Sequence, residues 1–369
     1  MMLGVGTIMP MLPGKVIALT GSQSAVAYLA SAFALPYILL QVPMGVLSDR
    51  LGFKRFLIAG YLLCCVSGIL YYLADAKSLV FLARVVQGAG EAPLWALAPA
   101  LLSLLFPATK GRVMGLYNAT LHVGLTLGPL LGLLLLRILP GEFNFLFFAA
   151  CCALSACLVA VLVEQTAAPA PAAGSRFEVA NIAALASDPA IFAVLAGIAL
   201  YGAGYGLFLT TLPAFLLGVK DYGQTFVQLF FACYYLSVSL SQLIAGPLSD
   251  RFGPRRFMIG GLGATALLIG AFPHLSRGST LAVLFAASIG LGTFFLSSMA
   301  FLNEAAPDAL KGTVSGAYYL FWGIGFFAGP VALGGAISAW GYGFAFGLFA
   351  VLLGAETILL VCLLKSQRE

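Results

Sequence analysis

Gly45 to Arg55 reads GVLSDRLGFKR, and 201 residues later Gly246 to Arg256 reads GPLSDRFGPRR. Each stretch sets an acid and several basic residues between two long apolar runs, in a chain that is only 8% charged. A soluble chain of 369 residues carries far more charge than this. Hydrophobic residues make up 62% of the chain, and its mean hydropathy is +1.05. Apolar runs of about 20 residues recur along the whole length, long enough to cross a bilayer as helices. No Lys, Arg, Asp or Glu lies between Phe56 and Ala74, or between Thr313 and Ala350. The short alternating segments of a membrane β-barrel are absent. The chain therefore reads as an all-α integral membrane protein.

Twelve spans are expected, at 1–19, 24–47, 56–74, 78–106, 113–137, 143–163, 190–217, 226–248, 257–273, 279–305, 313–338 and 343–364. The one long connection, Glu164 to Asp188, contains AAPAPAAG and reads as a Pro/Ala linker. It divides the chain into a six-helix bundle over 1–163, a cytoplasmic linker over 164–188 and a second six-helix bundle over 189–369. With both termini in the cytoplasm, twelve Lys and Arg fall on the inner side and five on the outer, with Arg84 left deep inside the membrane. That asymmetry favours this orientation in a cytoplasmic membrane. It also accounts for the net charge of +5 without nucleic acid as a partner.

The 201-residue offset extends well beyond the opening stretch. Gly45, Asp49, Arg50, Gly52 and Arg55 fall on Gly246, Asp250, Arg251, Gly253 and Arg256. Gly115, Gly124, Gly128 and Pro129 fall on Gly316, Gly325, Gly329 and Pro330. Such a register predicts two parallel six-helix repeats, an arrangement found in many secondary transporters. An offset of 200 pairs Gly4 and Gly6 with Gly204 and Gly206, and Pro13 with Pro213. On that register the seventh span begins about ten residues earlier than the first. The first part of span 1 is accordingly expected to be missing from the sequence.

GVLSDRLGFKR resembles the loop 2–3 signature of the major facilitator superfamily, and GPLSDRFGPRR resembles its loop 8–9 echo. RVVQGAGEA (Arg84 to Ala92) is similar to the family's span 4 signature. GLYNATLHVGLTLGPLLG (Gly115 to Gly132) is similar to the span 5 signature of its drug:proton antiporters, except at Leu133, where a second Gly is usual. The resemblance implies two six-helix bundles related by a pseudo-two-fold axis. It also implies that Asp49 faces the N-terminus of span 11 near Thr313, where a helix dipole favours a carboxylate. Gly45, Asp49, Arg50, Gly52, Lys54 and Arg55, with Gly246, Asp250, Arg251, Arg255 and Arg256, would then form paired cytoplasmic gates.

Gly124, Gly128 and Gly132 share one face of span 5, and Pro129 bends it. This face is expected to pack on span 8, with Gly325, Gly329 and Pro330 acting likewise in span 11. Arg84 and Glu91 lie seven residues apart, on one face of span 4. Ionisable groups at that depth are costly unless they face each other or a polar cavity. Burial favours a neutral carboxyl and a nearby guanidinium favours a carboxylate, a contest that makes Glu91 the candidate proton carrier. His122 is a second candidate stop for a proton. Tyr28, Trp95, Asn118, Tyr201, Tyr205 and Trp322 are candidate cavity residues, and Glu356 reads as structural or lipid-facing.

The seven Cys fall in apolar runs without a CxxC pair and there are two His, so no metal or redox centre is expected. There is no GxxxxGK[ST] loop and no nucleophile–base pair, so neither a nucleotide motor nor an enzyme is expected, and no cofactor. The expected function is proton-coupled export of a small amphipathic organic compound by a monomer in the bilayer. Transport of a sugar, organic acid or metal chelate, and a non-transporting scaffold or sensor, are the rival readings.

Overall fold

The computed structural model describes residues 1–106, 110–164, 187–305 and 311–365. Among these residues the secondary structure is helical throughout, with no strand. The helices are α1 (Met2–Ile8), α2 (Met11–Thr20), α3 (Tyr28–Leu51), α4 (Phe53–Leu73), α5 (Lys77–Leu105), α6 (Lys110–Leu135) and α7 (Phe143–Leu162). They continue as α8 (Pro189–Leu209), α9 (Thr211–Gly218), α10 (Gly223–Phe252), α11 (Pro254–Ile269), α12 (Arg277–Ala305) and α13 (Lys311–Lys365). Eight stretches of the described residues are long and apolar enough to cross a membrane by themselves. The last of these holds two expected spans, run together as α13 across Gly341, whose φ of 83° and ψ of 171° interrupt the helix.

The repeated charged stretch is mostly helix, where a loop was expected. α3 runs on to Leu51 and α4 starts at Phe53, so one residue, Gly52 (φ 82°, ψ 153°), turns the chain. In the second copy Gly253 (φ 88°, ψ 139°) does the same between Phe252 and Pro254. Residues with a side chain avoid this backbone region, so glycine is required at both positions. Pro254 then begins α11, in the first turn, where its missing N–H has no intrahelical partner to lose.

Spans 1 and 7 differ at corresponding places. α1 passes into α2 through Met9 (φ −56°, ψ −44°) and Pro10 (φ −66°, ψ −21°), both helical, so Met2–Thr20 is one span whose hydrogen-bond ladder alone is interrupted. α8 gives way to α9 at Thr210, whose φ of −124° and ψ of −69° are non-helical. Pro13 and Pro213 sit in the first turn of α2 and α9, a position that tolerates proline.

The chain forms two compact units, Met1–Ser175 with Leu209–Ala232, and Arg176–Phe208 with Cys233–Glu369. The first unit takes in α9 and the start of α10 through contacts with α2. Gln224 Nε2 donates to the Pro10 carbonyl at 2.8 Å, and Gln228 Nε2 lies 3.6 Å from Met11 Sδ. Each unit carries the same close helix contacts. A methyl added at Gly6 would sit 2.8 Å from Gly128 Cα and 3.0 Å from Pro129 Cδ, and one at Gly206 would sit 2.6 Å from Pro330 Cγ. One at Gly60 would sit 2.6 Å from the Gly90 carbonyl oxygen, and one at Gly261 2.5 Å from that of Gly290. Backbones this close leave no room for side chains.

The glycine face of α6 packs differently from expectation. Gly124 and Gly128 lie against Met2, Leu3 and Gly6 of α1, and Gly132 alone meets α10, at Gln228. In the second unit Gly325 and Gly329 press on Ala199 and Ala203 of α8. All seven Cys are free thiols; Cys64 and Cys152 are buried, while Cys157 and Cys362 are exposed.

Candidate functional site

Two glycines place α5. A side chain at Gly88 would collide with the Phe33 carbonyl of α3, and one at Gly90 would lie 2.8 Å from Cys64 Sγ of α4. The polar face of α5 between them is thereby enclosed by its neighbours. Arg84 is 2% exposed, Gln87 0% and Glu91 4%.

These residues form a continuous line of hydrogen bonds. Arg84 Nε donates to the Leu29 carbonyl at 3.0 Å, and the guanidinium lies 4.6 Å from the centre of the Phe33 ring. Arg84 Nη1 donates to Gln87 Oε1 at 2.9 Å, and Tyr71 Oη donates to the same oxygen at 2.7 Å. Gln87 Nε2 donates to Glu91 Oε1 at 2.9 Å, and Trp95 Nε1 donates to Glu91 Oε2 at 3.0 Å. From Arg84 to Trp95 the line runs eleven residues, about 16 Å along the helix. Buried groups bonded this fully form a stiff unit, because breaking one bond strands its partner in a medium that does not solvate it.

The structure therefore joins Arg84, Glu91 and Trp95, though not as a direct ion pair: Gln87 stands between the two charges. Gln87 and Tyr71 were missed by the sequence reading. Gln87 sits three residues after Arg84 and four before Glu91, the spacing of one helix face. That spacing was available as a signal, whereas nothing local in the sequence brings Tyr71 to it. Arg84 and Glu91 are both buried within the first unit. Trp95 is half-buried and lines a cavity of about 320 Å³ bounded by α1, α4, α5 and α6, with Tyr61, Tyr117, Leu121 and Gly124 among its walls.

The other candidates lie apart from this line. His122 is half-buried on α6, Asn118 is exposed on the same helix, and Tyr28 is 54% exposed at the start of α3. In the second unit, Tyr205 and Trp322 belong to an aromatic cluster. The Tyr205 ring centre lies 5.9 Å from Trp322, 5.9 Å from Phe326, 6.0 Å from Tyr234 and 6.3 Å from Phe208. Phe208 stacks on Tyr234 at 3.5 Å, and Trp322 stacks on Phe326 at 5.1 Å. Tyr201 is buried beside Phe295, 5.1 Å away. Glu356 does not face lipid: it is 7% exposed, and its Oε1 has no hydrogen-bond partner among the described residues.

Of the gate candidates, Gly45, Asp49, Arg50, Gly246 and Asp250 lie on helices, but their surroundings fall outside the described residues, as do those of Gly115. Lys54 is half-buried, and Arg55, Arg251 and Arg256 are exposed. Arg255 Nη1 donates to the Leu364 carbonyl at 3.3 Å, and its guanidinium lies 5.5 Å from the Phe301 ring centre. Gly316 lies on α13.

This helical architecture is that of a membrane transporter family. The profile of the Major Facilitator Superfamily matches residues 1–230 and 197–369, and the chain belongs to that family. Among its relatives, the MFS-type transporter SLC18B1 of Rattus norvegicus is 25% identical over 349 residues, 88% of this chain and 75% of that protein. An uncharacterized MFS-type transporter of Methanocaldococcus jannaschii is 30% identical over 132 residues, 36% of this chain and 34% of that protein. The quinolone resistance protein NorA of Staphylococcus aureus is 31% identical over 133 residues, 35% of this chain and 34% of that protein. The matched stretch thus spans about a third of the last two relatives. Among solved structures, the nucleoside transporter NupG superposes with a TM-score of 0.80 at 13% identity, covering 99% of this chain and 96% of that one. A bacterial homolog of the human lysosomal transporter Spinster, inward-facing and unoccupied, superposes with a TM-score of 0.72 at 18% identity, covering 98% and 94%. At these identities the two structures speak for the fold alone.

Proposed function

We propose that the protein is a proton-coupled exporter of small amphipathic organic compounds, working by alternating access in a cytoplasmic membrane. The observation that carries this reading is the buried line Arg84–Gln87–Glu91–Trp95. A carboxyl group at that depth is costly to bury even when hydrogen-bonded, and ionisable residues at such depth mark ion or substrate pathways. In this reading Glu91 takes up and releases the coupling proton, Arg84 holds the opposing charge, and His122 is an auxiliary stop. The aromatic cluster around Tyr205 and Trp322 offers flat apolar faces to the substrate. Names such as quinolone resistance protein and multidrug resistance protein among the relatives support an organic compound as cargo.

The two six-helix halves, 1–163 and 189–369, are the moving parts. Both termini are cytoplasmic, the working form is a monomer, and the Asp49 and Asp250 stretches serve as cytoplasmic gates. The drive is the proton gradient, of which the potential alone supplies about 2.3 kcal/mol per charge per 100 mV. The test is a screen in everted vesicles with a pH-sensitive dye. The wild type releases protons on addition of substrate. Glu91→Gln retains substrate counterflow and gives no proton signal; an undiminished signal from that variant sinks the reading.

A further inference from the structure

We propose that Trp95 is the positioning residue through which the protonation of Glu91 reaches the cavity wall. This rests on the reading of Glu91 as the proton carrier. The argument comes from an asymmetry in the two bonds that Glu91 accepts. On one side the donor is Gln87, whose amide is fixed in orientation because its Oε1 accepts from both Arg84 Nη1 and Tyr71 Oη. On the other side the donor is Trp95 Nε1, the only polar atom of its side chain, and Glu91 Oε2 is its partner. Gln87 is fully buried, whereas Trp95 is half-buried and borders the cavity.

A proton from the aqueous phase adds to one carboxylate oxygen; an O–H bond forms, the charge goes from −1 to 0, and no other covalent bond changes. Both N–H···O contacts then lose their charge assistance, which is roughly half of their strength. Gln87 stays in place because its other end remains bonded twice. The slack therefore falls on the indole, whose turn changes the wall that a substrate meets. Occupancy of the cavity resists that turn, and through the same bond it resists protonation.

The titratable groups facing Glu91 are Arg84 on its own helix and Tyr71 and Cys64 on α4. The cavity beside Trp95 adds Met1, which carries the N-terminal amine, with Tyr61 of α4 and Tyr117 of α6; of the other elements packed on α5, α3 carries Tyr37, α2 carries Lys15 and α6 carries the imidazole of His122. His122→Asn is therefore the control.

The chain has three Trp, so Trp322→Phe with Trp340→Phe leaves Trp95 as the sole indole, excited selectively over the tyrosines, for spectroscopy only. In lipid nanodiscs, lowering the pH is expected to red-shift the Trp95 emission and raise its quenching by acrylamide in one transition. The transition is lost in Glu91→Gln and kept in His122→Asn. Emission that does not titrate, or that titrates equally with Glu91→Gln, overturns the proposal. Transport gives a second arm, in the otherwise wild-type chain. Trp95→Phe keeps counterflow but loses most of its response to an imposed pH gradient, and an undiminished response overturns the proposal. Failure of Glu91→Gln to uncouple transport would instead remove the underlying assignment of the proton carrier, so the two failures are distinguishable.

Discussion

The two halves of the sequence share a backbone plan and differ in what the fourth and tenth spans carry. In the first, α5 presents Arg84, Gln87, Glu91 and Trp95 in one bonded line. At the 201-residue offset α12 presents Phe285, Ser288, Gly292 and Leu296. The place matching the Glu91 side chain is filled from a neighbouring helix: a methyl at Gly292 would collide with Ser241 Oγ of α10. Ser288, which matches Gln87, has a buried hydroxyl with no hydrogen-bond partner among the described residues. The second unit instead collects aromatic rings around Tyr205. A duplicated bundle has thus kept its close glycine contacts and divided its chemistry, with polar atoms in one copy and flat apolar faces in the other. Packing constrains both copies alike, because every backbone polar group in a bilayer must be satisfied within the helix. The side chains of an inward face are under no such shared constraint.

This comparison can be broken by experiment. The largest effect is expected from Glu91→Gln, which lowers proton-driven accumulation at least about tenfold while Ser288→Ala leaves it unchanged, as measured by uptake into vesicles under an imposed gradient. Next is Gln87→Leu, which leaves the Arg84 guanidinium and the Tyr71 hydroxyl short of an acceptor and costs about 2–4 kcal/mol, read as a lowered Tm in detergent. Ser288→Ala, by contrast, removes an unpaired buried hydroxyl and is neutral or slightly stabilising. Gly60→Ala and Gly261→Ala each press one methyl on a facing backbone carbonyl and should cost alike, about 1–3 kcal/mol each. A large loss in one and none in the other would contradict the duplicated packing. Of similar or smaller size is Gly52→Ala with its partner Gly253→Ala, each forced into a positive-φ turn at a cost of about 1–3 kcal/mol. Equal shifts in unfolding temperature for this pair would show that the two single-residue turns are equivalent.

The class and the duplication were legible in the sequence because they rest on features that repeat: apolar length, charge placement and glycine spacing. The helix boundaries around Gly52 and Gly253 were not. Charged residues look like loop, yet a helix continues through them until a backbone angle stops it. The break at Thr210 was half visible: the Pro13 and Pro213 pair marked the place in both copies, but not that the backbone would leave the helix at Thr210 and stay helical at Pro10. In the site, the charged groups Arg84 and Glu91 stood out because charge inside a span is rare. Gln87 did not, because an uncharged amide among glycines and valines carries little weight until its partners are known. For Glu356 the sequence left a structural and a lipid-facing role open, because apolar composition all round a helix does not say which face meets lipid; its burial favours the structural one.

Read alone, the sequence fixes a helical membrane protein built of two related halves, since the hydrophobic effect and the needs of a backbone in lipid act on composition and period. Which polar atoms meet is settled by tertiary packing alone. Hydrogen bonding demands ångström-scale approach between residues as far apart as Tyr71 and Gln87, and that distance is set by how α4 closes on α5.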